Sequence, residues 1–192
     1  VLSIGESEDI RKIDISWLSG GVSVQAVGQT SQITVQEDAT AELAEDEKLV
    51  CTVDGDTLRI RFMSDANRDG FEDEKFLTVS LPWELVKNAH FEEIDIETTS
   101  AYAYVSADAQ KIELSTLSGD ARVMGASCPE VEIETTSGNA GVVDGTWAKV
   151  ELSTVSGAIE LAGDADSAGI ETTSGNAGVV DGTWARVDIS TL

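Results

Sequence analysis

The stretch IETTSGNAGVVDGTWA occurs twice without a change, at residues 133–148 and again at 170–185. Each copy runs on into a near-copy, KVELSTVSG from Lys149 and RVDISTL from Arg186. The serines of the recurring Thr-X-Ser core are Ser100, Ser118, Ser137, Ser156 and Ser174, at intervals of 18, 19, 19 and 18 residues. The duplicate, offset by 37 residues between Ile133 and Ile170, therefore spans two units of alternating type, IETTSG and LSTVSG. A short unit repeated in this way is the signature of a solenoid: no unit buries its apolar face alone, whereas a stack of them does.

Strand periodicity assigns the faces, since successive side chains point to opposite sides. In VEIETTSG it places Val131, Ile133, Thr135 and Ser137 inward and Glu132, Glu134 and Thr136 outward. The next unit repeats the inward column with Val150, Leu152, Thr154 and Ser156, and the earlier units give Ile112, Leu114, Thr116, Ser118 and Ile94, Ile96, Thr98, Ser100. A second short strand follows each turn, with inward pairs such as Ala121 and Val123 or Ala140 and Val142. Gly119, Gly138, Gly157 and Gly175 follow the serine, and a positive φ is the expected reason for glycine there.

Upstream the same alternation appears in less regular form. Ile13, Ile15 and Trp17, then Val22 and Val24, then Ile33 and Val35 read as half-buried strands. Residues 49–53 and 58–62 flank Asp54-Gly55-Asp56, a hairpin signal, and residues 76–81 form a further strand closed by Pro82. Ser19-Gly20 stands to Ile13 and Ile15 as the later Ser-Gly pairs stand to their strands. The expected organisation is an irregular N-terminal β region, residues 1–88, continuous with a regular solenoid over residues 89–192.

With 192 residues, 41% of them hydrophobic, the chain can bury a core. The formal net charge of −24 excludes nucleic acid and anionic membrane surfaces as direct partners. Cys51 and Cys128 form neither a disulfide framework nor a metal box; one long-range disulfide between them is the alternative to two small buried hydrophobes, which are expected. No 18-residue apolar run is present.

On the outward face Asp95, Glu113, Glu132, Glu151 and Asp188 share one register, broken by Gly169. The neighbouring column alternates Glu97, Ser115, Glu134, Ser153, Glu171, Ser190. Like charges on adjacent strands are unfavourable, so the unrelieved Asp/Glu column is the anomaly. Its bland explanation is a solvated acidic face.

These features together suggest a family. The opening IRKIDISWLSGGVSV and the recurring I-x-I-x-T-x-SG units resemble the DUF4097 family of β-strand-repeat, adhesin-like proteins, and are similar to the related auto-transporter-head GIN domains. The resemblance covers nearly the whole chain. It implies an all-β fold, a single-stranded right-handed parallel β-helix (β-solenoid) with about 18–19 residues per coil and N-terminal hairpin insertions. It also implies a place outside the bacterial cytoplasm, tethered to the membrane or cell surface through a segment absent from this chain. The family brings no active site to carry over.

The loop DANRDGFEDEKF from Asp65 departs from a plain hairpin. Asp65, Asn67, Asp69, Gly70 and Asp73 match the first half of a calcium loop, in which alternate oxygens aim at one centre and Gly permits the turn. Phe76 stands where the bidentate Glu belongs, so Glu72 or Glu74 would have to substitute. The competing explanation is an acidic hairpin tip. His90, the only histidine, cannot build a metal site alone and is expected to be structural. Trp147 and Trp184 hold equivalent places in the duplicate; exposed they could stack on sugars, buried they fill a corner of the coil.

The expected function is a non-catalytic extracytoplasmic surface scaffold or interaction module, an adhesin-like protein meeting a protein or glycan at the cell surface. The first alternative is a calcium-binding surface module with the metal in the loop from Asp65 to Glu74. The second is a carbohydrate-active enzyme on a β-helix, disfavoured because no cationic cluster accompanies the carboxylates. The final strand, stopping before its Ser-Gly corner, offers an edge for strand addition or self-association.

Overall fold

A computed structural model describes residues 1–28, 30–64 and 71–191. In chain order the strands are β1 (Leu2–Ile4), β2 (Lys12–Trp17), β3 (Gly20–Val27), β4 (Ile33–Ala39), β5 (Val50–Asp54), β6 (Thr57–Arg61) and β7 (Lys75–Pro82). A four-residue helix α1 (Trp83–Val86) follows. Then come β8 (Glu93–Thr98), β9 (Tyr102–Ser106), β10 (Lys111–Thr116), β11 (Ala121–Met124), β12 (Ser127–Thr135), β13 (Ala140–Thr154), β14 (Ile159–Thr172), β15 (Ala177–Asp181) and β16 (Trp184–Thr191). All sixteen belong to one sheet. The fold is all-β and solenoid-like.

Two parallel ladders run the length of the stack. The first joins β6, β2, β8, β10, β12, the second half of β13, the second half of β14, and β16. The second joins β7, β3, β9, β11, the first half of β13, the first half of β14, and β15. Identical positions of each repeat therefore lie side by side: Ile94, Ile112, Val131, Val150, Ala168 and Val187 form one row. All of these except Val187 in the last coil are buried.

The N-terminal region is built into the stack in an order the sequence does not show. β2 lies between β6 and β8, and β3 between β7 and β9. The chain makes its second coil first, leaves through β4 and β5, returns to lay β6 and β7 beneath, and then passes α1 to begin β8. Antiparallel β4 covers β7, antiparallel β5 covers β6, and β1 pairs with β4. The β5–β6 turn is the expected hairpin, with Gly55 at φ 62° supplying the left-handed residue. α1 after Pro82 has no counterpart in the sequence reading; of the two forms that the acidic, Ala-rich residues 39–48 allow, a loop or one helical turn, the structure has a 3-10 turn at Glu45–Glu47.

Two expectations about the corner are corrected. The serines do not face inward: Ser100, Ser118, Ser137, Ser156 and Ser174 are all exposed, and the alternation ends at the buried Thr98, Thr116, Thr135, Thr154 and Thr172. Two residues after each threonine turn the chain outward, and the next inward position falls to Gly119, Gly138 or Gly157. Nor do these glycines have positive φ. They are required because adjacent coils approach closely: a Cβ on Gly138 would fall on the Gly119 carbonyl oxygen, and one on Gly157 on that of Gly138. The threonine hydroxyls close the same corner. Gly119 N–H donates to Thr116 Oγ1 at 2.8 Å, Gly157 N–H to Thr154 Oγ1 at 2.9 Å, and Thr135 Oγ1 donates to Gly138 O at 2.6 Å. A buried hydroxyl without a partner is costly, so the threonine column persists because the corner supplies its partners.

Candidate functional site

The outward face of the first ladder carries three charged columns, from β2 through β8, β10, β12, β13 and β14 to β16. Seven strands at about 4.8 Å spacing make it roughly 29 Å long. The middle column reads Asp14, Asp95, Glu113, Glu132, Glu151, Gly169, Asp188. The expected acidic register is thus real and reaches one strand further, to Asp14. The column on one side alternates Ser16, Glu97, Ser115, Glu134, Ser153, Glu171, Ser190.

The third column was not anticipated from the sequence: Lys12, Glu93, Lys111, Glu130, Lys149, Ser167, Arg186. Its signal lies one residue before each inward Ile, Val or Ala, as a basic residue at every second coil. It explains how the acidic column is tolerated. Lys111 Nζ lies 2.8 Å from Glu113 and 4.0 Å from Glu132; Lys149 lies 3.0 Å from Glu151 and 3.7 Å from Glu130; Arg186 lies 2.7 Å from Asp188. At the other end Arg61 grips Asp14 with two 2.8 Å hydrogen bonds, and Arg59 stands 3.6 Å from it. Such bidentate pairs are the strong ones.

Asp95 is the exception. Among the described residues it is the one acid of the middle column with no ion-pair partner. Burial, reinforced by Glu113, Asp14, Glu93 and Glu97, pushes its carboxyl up to about 6. Further along, Gly169 leaves a gap between Glu151 and Asp188, opening a depression of about 560 Å³ edged by Glu132, Glu134, Glu151, Glu171 and Asp188. The face is thus ruled in three charge patterns, with one protonatable carboxyl near one end and a dent near the other.

Of the calcium-loop residues, Asp65, Asn67, Asp69 and Gly70 lie outside the described residues. Asp73 is described: its carbonyl accepts from Ser19 Oγ at 3.1 Å and its carboxylate from Thr40 Oγ1 at 3.3 Å. Among the described residues no group of three or more His, Cys, Asp or Glu side chains is arranged to hold a metal. Two residues after Asp73 comes a feature the sequence did not announce. Lys75 is fully buried, its ammonium 2.6 Å from Glu37 Oε1 and 4.2 Å from the centre of the Phe62 ring. It donates to the Glu47 carbonyl at 2.7 Å and also to the Phe62 carbonyl. Burial lowers its pKa against the opposing pull of Glu37. One lysine thereby ties β4, the Glu45–Glu47 turn, β6 and β7 together.

The remaining candidates are structural. His90 Nε2 donates to the Ile10 carbonyl at 2.8 Å. Trp147 is buried, its ring occupying the space left by the missing side chains of Gly145 and Gly163, and Trp184 is half-buried at the equivalent place. Cys51 and Cys128 are both free, on strands five apart in the sheet order, or about 24 Å. Cys128 is buried, and its thiol is pushed up to about 11 chiefly by burial. Cys51 is only half-buried.

The Toastrack DUF4097 family model matches residues 4–190, nearly the whole stack. The chain belongs to this family. The Toastrack chain is also similar in structure to a protein described as a "putative cell adhesion protein" from Clostridium sporogenes. The two share 12% identity at a TM-score of 0.43, over 98% of this chain and 97% of that one. No curated protein matches the chain. Among the described residues no helix is long and apolar enough to cross a membrane.

Proposed function

We propose that this Toastrack chain is a non-catalytic, extracytoplasmic, adhesin-like module, wound as a right-handed parallel β-helix, that displays its three-column face to a protein bearing a basic patch. The observation that carries the reading is the register. Because each coil repeats the last, the Lys/Glu, Asp/Glu and Ser/Glu columns are held at fixed strand spacing over about 29 Å. A rigid surface of this kind costs little entropy to present. Its charge pattern selects partners by complementarity and speeds their encounter more than it tightens the complex. Tethering at the cell surface fits such a role and rests on the family resemblance.

The test is adhesion. Beads coated with the chain should bind a cell or matrix surface more than bare beads do, and about 0.5 M salt should remove most of the gain. A Glu113→Gln, Glu132→Gln, Glu151→Gln triple variant should bind several-fold less. Equal binding by the triple variant and the parent, or no gain over bare beads, would sink the reading.

A further inference from the structure

A second recess lies away from the charged face, at a corner of the stack. Trp83, at the start of α1, is 48% exposed, although the side chain one turn on, Val86, is fully buried. Trp83 also lines a groove of about 320 Å³. Its floor consists of small residues from successive coils, Ala107, Ala126 and Gly145, and its polar edge includes Asp108 and Asp144. The small floor is enforced by the stacking: a Cβ on Gly145 would collide with the Trp147 ring and the Ala126 carbonyl oxygen. Asp108 is held in place because its Oδ1 accepts the Ser127 N–H at 2.7 Å, and its Oδ2 has no hydrogen-bond partner among the described residues. Asp144, likewise, makes no side-chain hydrogen bond or ion pair among them.

An exposed indole beside uncommitted carboxylate oxygens, over a floor of alanine and glycine, has the chemistry of a sugar site. The ring offers an apolar platform to the C–H face of a pyranose, and the carboxylates accept from hydroxyl or ammonium donors. The volume is at the small end of ligand pockets, which run from about 300 to 1,000 Å³, so one or two rings fit and a long polymer segment does not. The two aspartates and the net charge of −24 repel acidic sugars. We propose that the Trp83 groove binds the end of a glycan made of pyranose rings without acidic groups, one ring stacked on Trp83 and its hydroxyls or amino group held by Asp108 and Asp144. This site is separate from the charged face and does not depend on a protein docking there.

Isothermal titration of the full chain with maltose, cellobiose, chitobiose, N,N′-diacetylchitobiose and digalacturonate tests it. At least one of the four non-acidic disaccharides should bind saturably in the millimolar range, and digalacturonate should not bind. Trp83→Ala should weaken the binding at least tenfold, Trp83→Phe much less, and Asp144→Asn, an exposed change that leaves the core untouched, at least threefold. Bound sugar should also protect tryptophan fluorescence from acrylamide quenching in the parent and not in Trp83→Ala. No saturable binding by any of the four, or binding unchanged by both Trp83→Ala and Asp144→Asn, overturns the proposal. Either result leaves the adhesion assay on the charged face unaffected, so the two readings fail separately.

Discussion

Asp95→Asn should make this protein more stable at neutral pH, although it deletes a charge from the acidic column of a patterned face. The folded carboxyl titrates at about 6 against 3.8 for the free group. The shift is roughly two pKa units, and at about 1.36 kcal/mol per unit the ionised carboxylate costs the fold up to about 3 kcal/mol. Solvent screening at a half-buried site reduces this to about 1–2 kcal/mol. The sign follows from proton binding. Between pH 3.8 and about 6 the folded state holds more of the proton than the unfolded state, so stability falls as pH rises through that window. The cost is fully present above that window and absent below it. An amide at position 95 carries none of it and forfeits no side-chain hydrogen bond that Asp95 makes among the described residues, so the variant should gain about 1–2 kcal/mol at about pH 8 and almost nothing at about pH 4. For a chain of this length that is a rise in Tm of about 2–8 °C. Urea unfolding at both pH values, with m unchanged, measures it. In about 1 M salt the gain at the higher pH should shrink, because part of the shift comes from neighbouring acids. A variant less stable than the parent at the higher pH, or equally improved at both, would refute the argument.

Other outcomes rest on the packing. Lys75→Met should cost about 3–5 kcal/mol, because it strands the nearly buried Glu37 carboxylate, and adding Glu37→Leu should restore a large part of that; urea midpoints of the two singles and the double settle it. Gly157→Ala should cost about 1–3 kcal/mol by forcing two coils apart, whereas Gly28→Ala, where a Cβ comes within 4 Å of nothing among the described residues beyond its chain neighbours, should stay within about 0.5 kcal/mol; thermal unfolding of the two variants compares them. Calcium titration of the parent and of Asp69→Ala tests the loop from Asp65: binding heat in the parent that is lost in the variant supports a metal there, and no heat in either excludes it. Cys51 should react with a thiol reagent far faster than Cys128 in the folded protein, the buried Cys128 becoming reactive only on unfolding.

The repeat makes the ladders legible from the sequence alone. Identical residues at 18- and 19-residue intervals have to lie side by side, and the acidic row is visible because it sits beside an obvious apolar column. The corner is harder. Ser137 continues the odd-even pattern of Val131, Ile133 and Thr135 on paper, but the backbone bends after Thr135 and the count restarts at Gly138. Glycine there reads as a demand of backbone conformation, whereas its cause lies in the neighbouring coil, which a one-dimensional pattern does not contain. The Lys column escapes notice because its members are spread two coils apart and look isolated. The Lys75–Glu37 pair joins positions far apart in an irregular region, and no periodicity points to it. The Trp83 groove draws on α1 and four separate coils, so only the assembled stack creates it.

The out-of-sequence placement of β2 and β3 has a kinetic consequence. Each needs partners on both sides, and those partners, β6 to β9, are made later than the strands they flank. The segment up to Val27 therefore cannot reach its final environment until the chain is available as far as Ser106, a long loop to close before any contact rewards it. From β10 onward each coil finds its template already standing and can add by local winding. The molecule has a slow end and a fast end. A chain delivered N-terminus first would wait with its earliest strands unpaired, so mutations around β6 and β7 should slow folding more than equal destabilisation in the duplicated coils.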